Sequence, residues 1–171
     1  MKKTILFVTL CCLFVLSACS KSGLDAFRGD YSFKTSGLVT IQRQATLFDT
    51  VPPAAITFEL PHEIGQLNIA TLDGHEDKAV VIINYLNDDV IVTEGFCDGN
   101  VIELNEYQRS PMDFSINAQT NIQAPMTVRA VGHLYDQDNL LFSMTYHGKV
   151  KVGNLTYHID GEDVKMVAYR N

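Results

Sequence analysis

From Ala130 to Ala168 apolar and polar residues alternate with a period of two, and the parity is kept across each candidate turn. This pattern belongs to strands with one face in a core and the other in water, and it fixes register strongly, because a slip of one residue would turn every apolar side chain outward. Gln137–Asn139 reads as a three-residue loop, and Gly153-Asn154 and Gly161-Glu162 as two-residue loops. With those turns Leu134 faces Phe142, Gly132 faces Met144 and Ala130 faces Tyr146. Val152 then faces Leu155, and Val150 faces Tyr157. Across the last turn Ile159 faces Val164, Tyr157 faces Met166 and Leu155 faces Ala168. The opposite face receives Ser143, Thr145, His147, Lys149, Lys151, His158 and Lys165.

The first half repeats the pattern in shorter pieces. One helical turn is expected at Leu24–Arg28, then a strand from Tyr31, a bulge at Gly37 and further strand to Gln42. Pro52-Pro53 places a loop at 45–55, and Pro61 ends a short strand begun at Ile56. Strands follow at Leu67–Leu72, Val80–Leu86, Val90–Phe96 and Val101–Tyr107, separated by Asp73-Gly74, Asn87-Asp88-Asp89 and Asp98-Gly99. The fold expected is all-β: an antiparallel up-and-down meander of about 8–10 strands closing into a barrel, which removes exposed edges. A two-sheet β-sandwich is the alternative.

Ahead of these strands stands MKKTILFVTLCCLFVLSACS. Lys2 and Lys3 precede an apolar run from Ile5 to Leu16, too short to span a bilayer and of the length of a signal-peptide core. Leu16-Ser17-Ala18-Cys19 resembles the lipobox of bacterial lipoproteins, in which the cysteine takes a diacylglycerol before cleavage. The organisation expected is a signal peptide at 1–18, a lipidated tether at 19–29 and a barrel domain at 30–171. The chain has net charge −7; the signal carries two lysines and no acid, so the mature chain holds 11 basic against 20 acidic residues. Such a chain is not expected to bind nucleic acid or to adhere by charge to anionic lipid. Attachment then falls to the acyl chains on Cys19. With Cys11 and Cys12 removed and Cys19 acylated, Cys97 stands alone, so no internal disulfide is expected.

Gly29-Asp30-Tyr31 resembles the Gly-x-Trp opening of lipocalins and other calycins, with Tyr for Trp. Tyr31–Gly37, Leu60–Gly65 and Met166–Asn171 are similar to segments of small calycin-like lipoproteins of Bacteroidetes. The resemblance implies a barrel and a cell outer-membrane address, and carries over no ligand or catalytic residue. Ser20 is not the aspartate that retains lipoproteins at the inner membrane, so the resemblance implies the outer membrane; no acidic run of the surface-export type follows Cys19, which leans towards its periplasmic face. Asp49-Thr50-Val51 resembles the Asp-Thr-apolar acceptor of Bacteroidetes O-glycosylation, which makes Thr50 a candidate site.

No catalytic residue, metal or cofactor is expected. His62-Glu63 and His75-Glu76-Asp77 contain metal-ligand types but lie beside turns, where polar residues gather in any case. His147 and His158 fall on the wet face, and Asp98 next to Cys97 opposes a reactive thiolate. Asp88-Asp89 and Asp136–Asn139 lack the spacing of a calcium loop. The set of interest is Leu134, Phe142, Met144, Tyr146, Tyr157 and Met166, all inward on this register beside the small residues Ala130, Gly132 and Gly148. Two functions compete: a non-enzymatic envelope lipoprotein binding a small apolar or amphipathic molecule among those six residues, and an interaction module of the outer membrane with a solid core and an envelope protein partner.

Overall fold

The computed structural model describes residues 23–86, 89–117, 120–136 and 138–171. The signal segment, Cys19, residues 87–88 and 137 of the expected loops, and residues 118–119 lie outside the described residues. A four-residue helix, α1 (Leu24–Phe27), is followed by ten strands. These are β1 (Gly29–Ser36), β2 (Leu38–Arg43), β3 (Ile56–Glu59), β4 (Ile64–Thr71), β5 (Lys78–Tyr85), β6 (Val90–Asp98), β7 (Val101–Asn117), β8 (Thr120–Leu134), β9 (Asn139–Val152) and β10 (Leu155–Arg170). All pairings are antiparallel, in the order β1-β4-β5-β6-β7-β8-β9-β10, and β10 returns to β1 to close eight strands into a barrel. The β2–β3 hairpin is an insertion that pairs on β10. The expected all-β meander and its closure are therefore present.

The buried faces follow the parity read from the sequence: Phe142, Met144, Tyr146, Ile159, Val164, Met166 and Ala168 are all in the core. Three details of register differ. Leu134 pairs with Leu140, Gly132 with Phe142 and Ala130 with Met144, two residues away from the expected partners. The connection begins earlier, at Tyr135, whose N–H donates to the Asn139 carbonyl, and the Asp136 carboxylate accepts from the Asp138 N–H at 2.8 Å. A shift of two keeps every side chain on its face. The last hairpin loop of the first half, by contrast, comes one residue later than expected: Asp98 pairs with Val101, which leaves Gly99-Asn100 as the loop, and Gly99 takes φ +57 there.

The larger correction concerns Gly161-Glu162, which is not a turn. β10 runs through it with a bulge between Gly161 and Val164, and Asp163 takes φ 62 to absorb the extra residue. Tyr157 therefore does not face Met166, nor Leu155 Ala168; Met166 pairs with Phe142 and Ala168 with Leu140. The bulge marks the level at which β10 changes partner, from β2 at residues 157–160 to β1 at 165–170. Both glycines at this corner permit close approach. A Cβ on Gly37 would lie 2.8 Å from the Val164 Cα, and one on Gly161 would lie 2.9 Å from Val39 Cγ1. The predicted Val152–Leu155 and Val150–Tyr157 pairs form, but at the far end of the hairpin, so Val152 and Leu155 are exposed.

The strands also differ in length. β6 pairs with β7 only as far as Gly95 and Leu104, whereas β7 and β8 stay paired through Asn117 and Thr120. Beyond the ends of β1, β4, β5 and β6, six strands continue as an open sheet in the order β7-β8-β9-β10-β2-β3. Its two border strands, β7 and β3, are not hydrogen-bonded to each other among the described residues; the Phe58 and Phe114 rings meet there with centroids 6.3 Å apart. The wall of the barrel is apolar inside and carries exposed Lys34, Glu94, Glu103, Arg129 and Lys149 outside. A membrane-spanning barrel has the reverse arrangement, with a lipid-facing apolar band around a polar interior.

Candidate functional site

Four of the six expected lining residues, Phe142, Met144, Tyr146 and Met166, lie fully inside the barrel. Leu134 and Tyr157 are half-buried against the core. The small residues beside them do not open a void. A Cβ on Gly132 would stand 2.5 Å from Phe142 and 2.8 Å from Ile102, and one on Gly148 would stand 2.5 Å from the Met126 sulfur. Large neighbours already occupy the space over each glycine, as in a close-packed core.

The polar part of the core is built by Arg109, a residue for which the sequence reading assigns no role. Its side chain is 1% exposed. The guanidinium donates to both Glu63 oxygens at 2.6 and 3.0 Å, and its Nε donates to Asp89 at 3.3 Å. Its flat face lies 3.8 Å from the centre of the Tyr85 ring, a cation–π contact. Asp89 also accepts from the Ser110 N–H and hydroxyl. Burial alone would lower the pKa of Arg109, but the hydrogen bonds to Glu63 and the charges around it outweigh burial and keep the group protonated. Glu63 comes from just before β4 and Asp89 from just before β6, so one β7 residue ties together two connections at the end of the closed barrel. Of the residues considered as metal or calcium ligands, Glu63 and Asp89 thus belong to an ion-pair cluster with Arg109. His62 makes a contact from Nδ1 to the Thr35 carbonyl at 3.2 Å, and among the described residues no three His, Cys, Asp or Glu side chains converge.

Around Arg109 stand Tyr85, Tyr107 and Tyr146. Burial pushes all three phenols above their ordinary pKa, and each feels the charge of Arg109. Their hydroxyls are buried and make no hydrogen bond of good geometry with the described residues. The signal that could have located this cluster is an arginine two residues after an inward tyrosine, but β7 slips register between Leu104 and Tyr107 and again between Arg109 and Met112, which hides the parity.

A cavity of about 310 Å³ lies at the open end, lined by Ile41, Arg43, Pro53, Ala54, Ile56, Ile116 and Tyr157. Of the six expected lining residues only Tyr157 borders it. Arg43 does not offer a free charge there: it grips Asp49 through both guanidinium nitrogens, and Asp49 also accepts from the Thr46 N–H at 2.6 Å and hydroxyl at 2.8 Å. These bonds, Arg43 first, hold the Asp49 carboxyl well below the usual carboxylate range. Thr50 follows in the same loop and is exposed.

Cys97 is buried and its thiol is pushed up to about 11, by burial first and by Asp77 second, so Asp77 has the role the sequence suggests for Asp98. His147 is exposed and pairs with Asp160 at 2.8 Å on the outer wall. That wall also carries exposed apolar residues: Ile82 sits opposite Val92, with Val90 next along β6, and Glu94 separates them from exposed Phe96.

No family model and no curated sequence matches this chain. Among solved structures, Ail, the attachment invasion locus protein of Yersinia pestis, aligns over 84% of this chain and 99% of its own, at 9% identity and a TM-score of 0.37. A likeness that loose carries no argument about role.

Proposed function

We propose that this chain is a non-enzymatic lipoprotein of the calycin-like type, held at the periplasmic face of the outer membrane by lipid on Cys19, and that it works as an interaction module around a solid barrel. The observation that carries this reading is the packing over Gly132 and Gly148, where Phe142, Ile102 and Met126 occupy the space that a pocket would need. Binding is then left to the outside, where Ile82, Val90 and Val92 stand exposed side by side in neighbouring strands. Apolar surface of this kind marks interaction sites when it is contiguous. The charged outer wall supports a lipid tether as the means of attachment, and exposed Thr50 is the proposed O-glycan acceptor.

Native mass spectrometry of the full-length lipoprotein, combined with the variant Gly132→Leu, tests the solid core. The expected outcome is no co-purified small molecule and a loss of about 1–3 kcal/mol in the variant from overpacking. A retained apolar ligand together with a tolerated leucine would overturn the reading. A second reading, a small amphipathic ligand seated at the open end, is favoured by the cavity between Ile41, Ile56, Ile116 and Tyr157, whose volume is at the low end for ligand sites. Ligand retention that survives Gly132→Leu and is lost in Ile116→Trp would select it.

A further inference from the structure

We propose that the gap between β3 and β7 takes an extended peptide of a partner protein as an additional strand, with apolar side chains inward and basic ones outward. This names the partner chemistry for the interaction-module reading and rests on it. In the open storey β3 pairs only with β2, and Met112–Ile116 of β7 pairs only with β8, among the described residues. Two rows of backbone N–H and C=O groups therefore border one gap, and only another strand offers both donors and acceptors at matching spacing. Below the gap the β7 edge is already answered: the Thr93 hydroxyl donates to the Asn105 carbonyl, and Asp89 takes the Ser110 N–H. Pro111, with no N–H to give, stands where that coverage stops.

Side-chain parity defines what the strand must carry. Ile56 and Phe58 of β3 and Phe114 and Ile116 of β7 point inward, and Ile56 and Ile116 line the open-end cavity, which would take inward apolar residues. On the outward face Glu59 borders the gap from β3 and Asp113 from β7, both exposed. Asp113 accepts from Gln123 and no cation is recorded on either carboxylate among the described residues. Outward lysine or arginine on the added strand would lie beside them as cross-strand partners.

The test uses the full lipidated chain in phosphatidylcholine nanodiscs, with empty nanodiscs as reference, and a labelled nonapeptide of alternating valine and lysine. Saturable binding is expected, with slowed amide exchange in 56–59 and 112–116. N-methylation of alternate peptide amides should weaken binding by at least about tenfold, because it removes strand pairing while keeping charge and apolar area. The double variant Glu59→Lys, Asp113→Lys should bind the valine–glutamate peptide in preference. Equal binding of the N-methylated peptide, absence of binding, or self-association of the chain through these edges in sedimentation would each overturn the proposal. Photo-crosslinkers at Thr57 and Val92 in intact cells separate its failure from that of the underlying reading. Protein adducts from Val92 alone remove the strand site and leave the interaction module; adducts from neither remove both.

Discussion

Arg109 brings a full charge into a core otherwise made of aliphatic, methionine and aromatic side chains, and Glu63 and Asp89 answer it from two other strand ends. Removing one member of a buried ion cluster strands the others, which costs more than the net worth of the pairs. Arg109→Met should therefore destabilise the barrel by about 3–5 kcal/mol in chemical denaturation. Arg109→Lys should recover part of that, keeping the charge and losing the two-pronged contact with Glu63. Cys97 gives a second prediction at this scale. Its thiol is neutral in the fold with a pKa of about 11, above the value of an unfolded cysteine. The stabilisation is complete below the unfolded pKa and is lost as pH rises through the folded one, so stability should fall between about pH 9 and 11. Comparing the pH profiles of wild type and Cys97→Ala isolates the contribution from that of the buried tyrosines, which titrate in the same direction.

At the scale of elements, the parity of β8, β9 and β10 is legible in the sequence because strand periodicity survives a two-residue shift. The pairing itself is not. Gly-Glu-Asp at 161–163 has the composition of a hairpin turn, and only the requirement that β10 serve both β2 and β1 shows it to be a bulge. Residues 108–117 carry no readable alternation, because register slips at Arg109/Met112 and Ser115/Asn117 break it and Pro111 imitates a strand break; Ile122, Ala124, Met126 and Val128 of β8 do alternate with polar residues and Pro125, so that strand was legible in the sequence. The open-end cavity was illegible for a related reason: its lining comes from β2, β3, β7, β10 and the 44–55 connection, which only the curling of the whole sheet brings together. The corner has its own test. Gly161→Val should drive side-chain atoms into Val39 and Tyr146, lowering stability by about 1–3 kcal/mol, whereas Asp163→Gly should be neutral or stabilising because it relieves a left-handed backbone position. Equilibrium urea denaturation of both variants checks the pair.

For the whole molecule, attachment and closure are separate matters. Four residues separate Cys19 from α1, so the proposed lipid on Cys19 would keep the α1 end of the barrel near the membrane and turn the open storey away from it. Cys19→Ser should leave an uncleaved or soluble protein in cell fractionation; normal processing with wild-type membrane recovery would refute the anchor. Closure depends on the two ends of the described chain. Tyr31 pairs with Arg170, the Asn171 N–H donates to the Asp30 carbonyl, and Ser32 bonds to Asn171 across 139 positions of sequence. Contacts that distant form late and slowly. Because β10 pairs with both β9 and β1, the seam that turns this sheet into a tube waits for the last of its strands: until β10 is available, eight strands' worth of interior has no wall to close it.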